Sequence, residues 1–192
     1  MTDFPLRVVA AGDLVLRHIG PHDAPLLHRL IQTNREGLLA ALDWPRFIHT
    51  QADTDAFCAS SDVSRQNRKS ATYGVWRGET ILGVVSFNVI CHATKSGDIG
   101  YWLGSAARGN GVASAAVSAM LRAFADADVV HHCIIKCATG NDRSRKLAER
   151  LGFVCEGVLS KAETIGDVVH DQYVYALNVR RDASATASVQ LQ

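Results

Sequence analysis

Residues Gly97 to Phe124 read GDIGYWLGSAARGNGVASAAVSAMLRAF, a strand, a glycine-bearing loop and an apolar helix in immediate succession. Ile99, Tyr101 and Leu103 alternate with Gly100 and Trp102, the mix expected of a strand covered on both faces. Gly104 and Ser105 end it. Arg108, Gly109, Asn110, Gly111, Val112 and Ala113 follow, and a helix rich in Ala, Val and Met starts at once. Glycine before a helix lets backbone approach a ligand, and the unpaired N–H groups of the first turn, with the positive end of the helix dipole, attract phosphate. Arg108 adds a planar charge suited to a pyrophosphate.

Working outward, the neighbouring segments supply strands and helices in a mixed order. Leu14 to Ile19 alternates apolar and polar residues and reads as a strand. His22 to Leu42 is helical in pattern, with Leu26, Leu27, Leu30 and Ile31 at helical spacing and Leu38, Leu39 and Leu42 repeating it. Asn34 to Gly37 divides the two runs, and Pro45 stops the second by pushing Trp44 out of helical geometry. Thr54 is the expected N-cap of a polar helix reaching towards Arg68, with Phe57 and Cys58 on its inner face. Ala71 to Arg77 and Ile81 to Ile90 form a hairpin through Gly78-Glu79-Thr80, and Gly83 inside its second strand predicts a bulge or a close backbone approach.

Downstream, a buried helix from Val112 to about Ala125 leads to a strand at His131 to Ala138. A helix over Asn141 to Leu151 is closed by Gly152. Two strands follow, Phe153 to Ser160 and Val169 to Val179, with a turn around Ile165-Gly166-Asp167. Strands drawn from both halves and covered by helices on both faces define a mixed α/β domain. One domain over residues 1–181 is expected, and the small, polar run over 182–192 reads as a disordered tail.

A chain of 192 residues with 47% hydrophobic and 20% charged residues is globular in composition. A net charge of +1 gives no footprint for nucleic acid. No apolar run approaches the roughly 20 residues of a membrane helix, and the N-terminus, with Asp3 and Pro5, lacks a signal-peptide pattern. Five cysteines without a Cys-x-x-Cys pair point to a reducing cytoplasm rather than a disulfide framework or zinc knuckle. His131, Cys133 and Cys137 would share a strand face, but Ile135 interrupts them and no metal is expected.

Read alone, the loop leaves two alternatives open. Gly109-x-Gly111-x-x-Ser114 superficially matches a dinucleotide fingerprint, yet the acidic residue wanted about 20 positions on is replaced by Val129 and Val130. A P-loop is excluded, since Gly-Lys-Ser/Thr is absent. The other alternative is a turn whose glycines serve backbone geometry only.

The combination says more than the loop. Gly100-Tyr101-Trp102-Leu103, then Arg108-x-x-Gly111-x-Ala113 and an Ala-rich helix, resembles the acetyl-CoA pyrophosphate motif of the GNAT superfamily of N-acetyltransferases. Later residues resemble its RimJ/RimL branch, which acetylates protein N-termini. They are Asn141-x-x-Ser144 opening a helix that ends Glu149-Arg150-Leu151-Gly152-Phe153, then Glu156-Gly157-Val158-Leu159, Lys161-Ala162-Glu163, and Asp171 with Tyr173 and Tyr175. The matches keep their order from about Leu14 to Val179.

The resemblance implies a GNAT fold: a mostly antiparallel mixed sheet whose central strands at Ile99–Leu103 and His131–Ala138 run parallel and splay apart. Pantetheine would lie in that gap and pair with exposed backbone like an added strand. It further implies acetyl-CoA as cosubstrate, held by Tyr101, Trp102 and Leu103, by the 108–113 loop and by Asn141, which by residue type is also an ordinary helix cap. Ser144 is implied as proton donor to the leaving thiolate. Glu163 is implied as base for the amine, directly or through water. Asp98 lies where many relatives carry a glutamate, so this shorter carboxylate is a second candidate. The helical hairpin of the family walls the acceptor pocket, which puts Asn34, Arg35 and Trp44 there, and His170 lies nearby.

Acetyl transfer to nitrogen needs a neutral amine, and an α-amine with pKa near 7.7 to 8.0 demands less of a base than lysine near 10.4. No loop cysteine is placed to carry an acetyl group, so direct transfer in a ternary complex is expected. The acceptor implied is a protein N-terminus, with ribosomal proteins the family's named substrates. The alternatives are a small-molecule amine (an antibiotic, a polyamine or an aminoacyl compound) and a non-catalytic acyl-CoA-binding module. A homodimer is implied by the resemblance alone.

Overall fold

The computed structural model describes residues 4–180, so the tail read at 182–192 lies outside the described residues. Eight strands form one sheet: β1 (Arg7–Val9), β2 (Leu14–His18), β3 (Ala71–Arg77), β4 (Thr80–Cys91), β5 (Ser96–Leu103), β6 (His132–Ala138), β7 (Val154–Ile165) and β8 (Val168–Asn178). Their order is β1-β2-β3-β4-β5-β6-β8-β7. Every neighbouring pair is antiparallel except β5 and β6. The five helices are α1 (Ala24–Thr33), α2 (Arg35–Leu39), α3 (Gln51–Gln66), α4 (Val112–Asp126) and α5 (Asp142–Arg150).

Two apolar clusters hold the sheet from opposite faces, as alternating strand side chains require. On one, α4 presents the fully buried Val117, Met120 and Phe124 to Tyr73, Val75, Val85 and Phe87. Phe87 and Phe124 meet at 4.9 Å between ring centroids. Ala116 and Ala119 are buried as well, and their small size brings α4 close to the strands. On the other face Leu27, Ile31, Leu38 and Cys58 pack on Trp76, Ile81 and Val84. Burial of each such large side chain is worth about 1.5–3 kcal/mol.

Gly83 meets both expectations at once. The register between β3 and β4 shifts between Val75 and Trp76, leaving Leu82 as the extra residue. A Cβ at Gly83 would come within 2.2 Å of the Trp102 carbonyl oxygen, so strand β5 closes on it with no room for a side chain.

Four expectations are corrected. The second helix of the hairpin ends at Leu39, well before Pro45, and Trp44 opens a short 3-10 turn, Trp44–Phe47, rather than leaving helical geometry, because proline suits the first turn of a helix. The N-cap of α3 is Thr50, not Thr54, because Asp53 completes a capping box with it: the Asp53 carboxylate accepts from the Thr50 N–H at 2.8 Å, and Thr50 Oγ1 from the Asp53 N–H at 3.3 Å. Thr54 is instead buried and hydrogen-bonded to His28 Nδ1 at 2.8 Å. Phe57 is not an inner-face residue; it is 41% exposed, while Cys58 is fully buried. Strand β7 does not stop at Ser160 but continues to Ile165, which places Glu163 on a strand rather than in a connection. Its turn lies at Gly166, whose φ of +63° suits glycine. Strand β1, only three residues long, has too little pattern to be read beforehand.

Candidate active site

Parallel pairing between β5 and β6 runs from Ser96↔His132 to Ile99↔Ile135 and then stops. Beyond it β5 continues to Leu103 beside β4, and β6 continues to Ala138 beside β8. The two strands therefore splay, and their facing edges carry backbone groups with no strand between them. A cleft of about 1000 Å³ opens there.

The loop at the head of the cleft has the geometry of an anion cradle. Gly109 and Gly111 take φ of +86° and +72°, and Gly111 is the N-cap of α4. The first bond within that helix runs from the Ala115 N–H to the Gly111 carbonyl, so the N–H groups of Val112, Ala113 and Ser114 have no acceptor inside it. No side chain caps them. Arg108 lines the cleft with its Nε donating to the Leu103 carbonyl at 3.0 Å. Arg143, Lys146 and Arg150 lie on the same wall. Basic side chains, free helical N–H groups and an open strand edge fit a coenzyme A with its phosphates at the loop and its amide-bearing arm between the strands. Asn110 sits within the turn but outside the cleft lining.

Ser144 stands in the first turn of α5, across the splay from Tyr101. Asn141 caps that helix, its Oδ1 accepting from the Ser144 N–H at 3.1 Å. The Ser144 hydroxyl and the Tyr101 phenol are hydrogen-bonded at 2.6 Å. Burial is the main cause that pushes the Tyr101 phenol up to about 12, and it raises the Cys137 thiol beside the same serine. Both stay protonated at neutral pH.

Glu163 reaches the cleft from β7 by way of a bulge. Leu159 pairs with Gln172 and Glu163 with His170, so Ser160, Lys161 and Ala162 together oppose the single residue Asp171. Asp171 pins this excess: its Oδ1 accepts from the Lys161 N–H at 2.8 Å and from the Ser160 hydroxyl at 3.4 Å. Lys161 takes a φ of +51° as a result. Gln172 Nε2 donates to Glu163 Oε2 at 2.9 Å, and both residues line the cleft. His170 lies opposite Glu163 in the ladder but outside the lining.

On the acceptor side the structure separates the sequence-derived residues. Trp44 lines the cleft and meets Trp102, with ring centroids 5.7 Å apart. Asn34 is turned to the loop instead, its Oδ1 accepting from the Ser105 N–H at 2.7 Å. Arg35 donates to the Ile48 carbonyl and does not line the cleft. Asp98 lines it, but its carboxylate is paired with Lys136 Nζ at 2.7 Å. Tyr101, Trp102, Leu103, Arg108, Gly111, Ser144 and Glu163 thus come together in one cleft. Lys136, Asn88 and Gln172 join them unforeseen, since only the strand pairing brings them near. Among the described residues no group of three or more metal-ligating side chains occurs, and no helix is long and apolar enough to cross a membrane.

A parallel splay fed by a glycine loop at a helix N-terminus is the frame of an acyl-CoA-dependent transferase, and residues 13–154 match the acetyltransferase (GNAT) domain model: the chain belongs to the GNAT acetyltransferases. Within that family it is similar to the ribosomal-protein-serine acetyltransferase of Escherichia coli (strain K12), 31% identical over 169 residues that cover 88% of this chain and 94% of that protein. Among solved structures it is similar to RimL, a ribosomal L7/L12 alpha-N-protein acetyltransferase in complex with coenzyme A, with a TM-score of 0.87, 29% identity and coverage of 94% and 100% of the two chains. The microcin C7 self-immunity acetyltransferase MccE, in complex with acetyl-CoA and AMP, gives a TM-score of 0.84 at 34% identity over 87% of this chain and 93% of that one.

Proposed function

We propose that this acetyltransferase uses acetyl-CoA to acetylate the α-amine of a protein N-terminus, by direct transfer in a ternary complex. A ribosomal protein is the acceptor we favour. The observation that carries the reading is the convergence of Glu163 and the Tyr101–Ser144 pair on one splayed cleft. Similarity to the ribosomal-protein-serine acetyltransferase over 88% of the chain supports the choice of acceptor.

In this reading Glu163 takes the proton of the incoming amine, directly or through a water, and its carboxylate is held for that task by Gln172. Ser144 gives a proton to the departing sulfur. The Tyr101 phenol makes good the proton that Ser144 passes on and is itself reprotonated from water, so coenzyme A leaves as the thiol and the pair ends as it began. Val112 and Ala113 hold a phosphate at their N–H groups, and Arg108 balances its charge. Activity in the cytoplasm and assembly as a homodimer belong to the same proposal.

A small aminoacyl compound is the second reading. It is favoured by the Trp44–Trp102 pair, which offers planar walls at the acceptor side, and by the likeness to MccE, whose structure holds AMP. Coenzyme A release with mass detection of products, across peptides beginning with Ser, Ala or Met and a parallel set of small amines, separates the two. Turnover on peptides with a free α-amine supports the first. Turnover on small amines alone replaces it with the second.

A further inference from the structure

Behind the Trp44–Trp102 pair lies a second cavity of about 220 Å³, on the sheet face covered by α1 and α3. It is continuous with the cleft, for Leu42, Trp44, Asn88, Gly100, Tyr101 and Trp102 line both. Leu27, Ile31, Ile48, Phe57 and Val84 supply the rest of its apolar lining, and no charged side chain lines it.

Two of the hydroxyls in its wall are already engaged. Thr54 Oγ1 is bonded to His28, and the Ser86 hydroxyl donates to Asn88 Oδ1 at 2.7 Å. Asn88 in turn lies over Gly100, where a Cβ would come within 2.7 Å of its amide. A polar occupant would give up its bonds to water for few partners in a wall that is mostly apolar, at a cost that an apolar one avoids. The volume decides the size: a cavity of roughly 150 Å³ with similar walls holds a benzene, so this one holds a single large side chain and not a folded segment.

We propose that this cavity is a specificity pocket for one large apolar side chain carried by the first or second residue of the acceptor, with the reacting amine left outside at the cleft. The inference rests on the acceptor being an aminoacyl or peptidyl amine. Val84 sets the pocket's depth, Ile48 stands at its rim, and Asn88 forms its boundary with the cleft.

The test compares kcat/KM on tetrapeptides with a free α-amine in which the first and second positions carry Gly, Asp, Leu or Phe, alongside the amides of the same four amino acids. Burying a leucine-sized group predicts that Leu or Phe at one position is preferred to Gly or Asp by about tenfold to a hundredfold. Val84→Phe, filling the depth, and Ile48→Trp, filling the rim, each reduce that ratio at least tenfold in whichever variant melts within a few degrees of wild type. Equal rates for Gly and Leu at both positions overturn the pocket, as does an unchanged ratio in a folded filled variant. If only the amides are turned over, the protein-acceptor reading fails, while the Leu-to-Gly ratio among the amides still decides the pocket.

Discussion

The phenol of Tyr101 and the hydroxyl of Ser144, one on β5 and one on α5, lie 2.6 Å apart across the splay that ends the parallel pairing of the sheet. Neither residue is near the other in sequence; the opening of β5 from β6 and the Asn141 cap of α5 bring them together. The bond fixes where the serine oxygen sits.

Ser144→Ala should therefore lower kcat by about 10²–10⁴-fold, the span of general acid catalysis, with little change in the KM for acetyl-CoA. Tyr101→Phe keeps the ring and should cost less, again in kcat. With its phenol near 12, Tyr101 adds no break to the rate profile between pH 6 and 10. Steady-state kinetics on both variants check this. A KM effect without a kcat effect would assign the pair to binding alone.

Glu163→Gln preserves size and can still accept from Gln172, so it isolates the loss of the base. An α-amine is largely protonated below its pKa near 7.7 to 8.0, and the deficit against wild type should widen as pH falls from 9 to 6. Rate profiles of the two proteins over that range give the answer. A constant ratio would remove Glu163 from proton transfer.

Gly83→Ala tests the sheet itself. The new methyl meets the Trp102 carbonyl and the Leu103 Cα, both backbone atoms that cannot swing aside. Overpacking of this kind costs about 1–3 kcal/mol, which lowers Tm by roughly 2–12 °C in a chain of this size. A thermal melt followed by circular dichroism measures the loss. Because Trp102 lines the cleft, the variant should also bind cosubstrate less well.

His18 makes stability depend on pH. Its imidazole is buried, with a bond to Asp62 at 3.1 Å, and burial is the main cause that lowers its pKa below the ordinary 6.5. The unfolded chain then binds more protons than the folded one between the two values. Stability from this group is complete above about pH 6.5 and declines as pH falls towards the folded pKa. Melts between pH 7.5 and 5 should show that decline, and His18→Gln should flatten it. An unchanged slope in the variant would place the dependence elsewhere.

The organising stretch was legible because each of its signals is local. Alternation marks β5, Gly111 marks the start of α4, and the small apolar residues mark a buried helix. Thr54 misled because a threonine one turn inside a helix looks like a cap until Asp53 is seen to serve Thr50. Arg35 and Asn34 have the residue types of an acceptor site, yet backbone groups at Ile48 and Ser105 claim them. Glu163 could be named only from its place in the family pattern, and its route to the cleft not at all. That depends on pairing with β8, which no local pattern records.

The bulge at Ser160 to Ala162 has a second effect, on the outer boundary of the sheet. Strand β7 is a terminal strand, twelve residues long, with Val154, Val158 and Leu159 exposed. Such a border invites foreign strands to extend the sheet without limit. Three residues against one displace the ladder by two positions, roughly 7 Å, against its partner. They also carry a positive-φ lysine, so an incoming strand can match at most one half of β7. The irregularity that brings the Glu163 carboxylate into the cleft thus also caps the extension of the sheet outward.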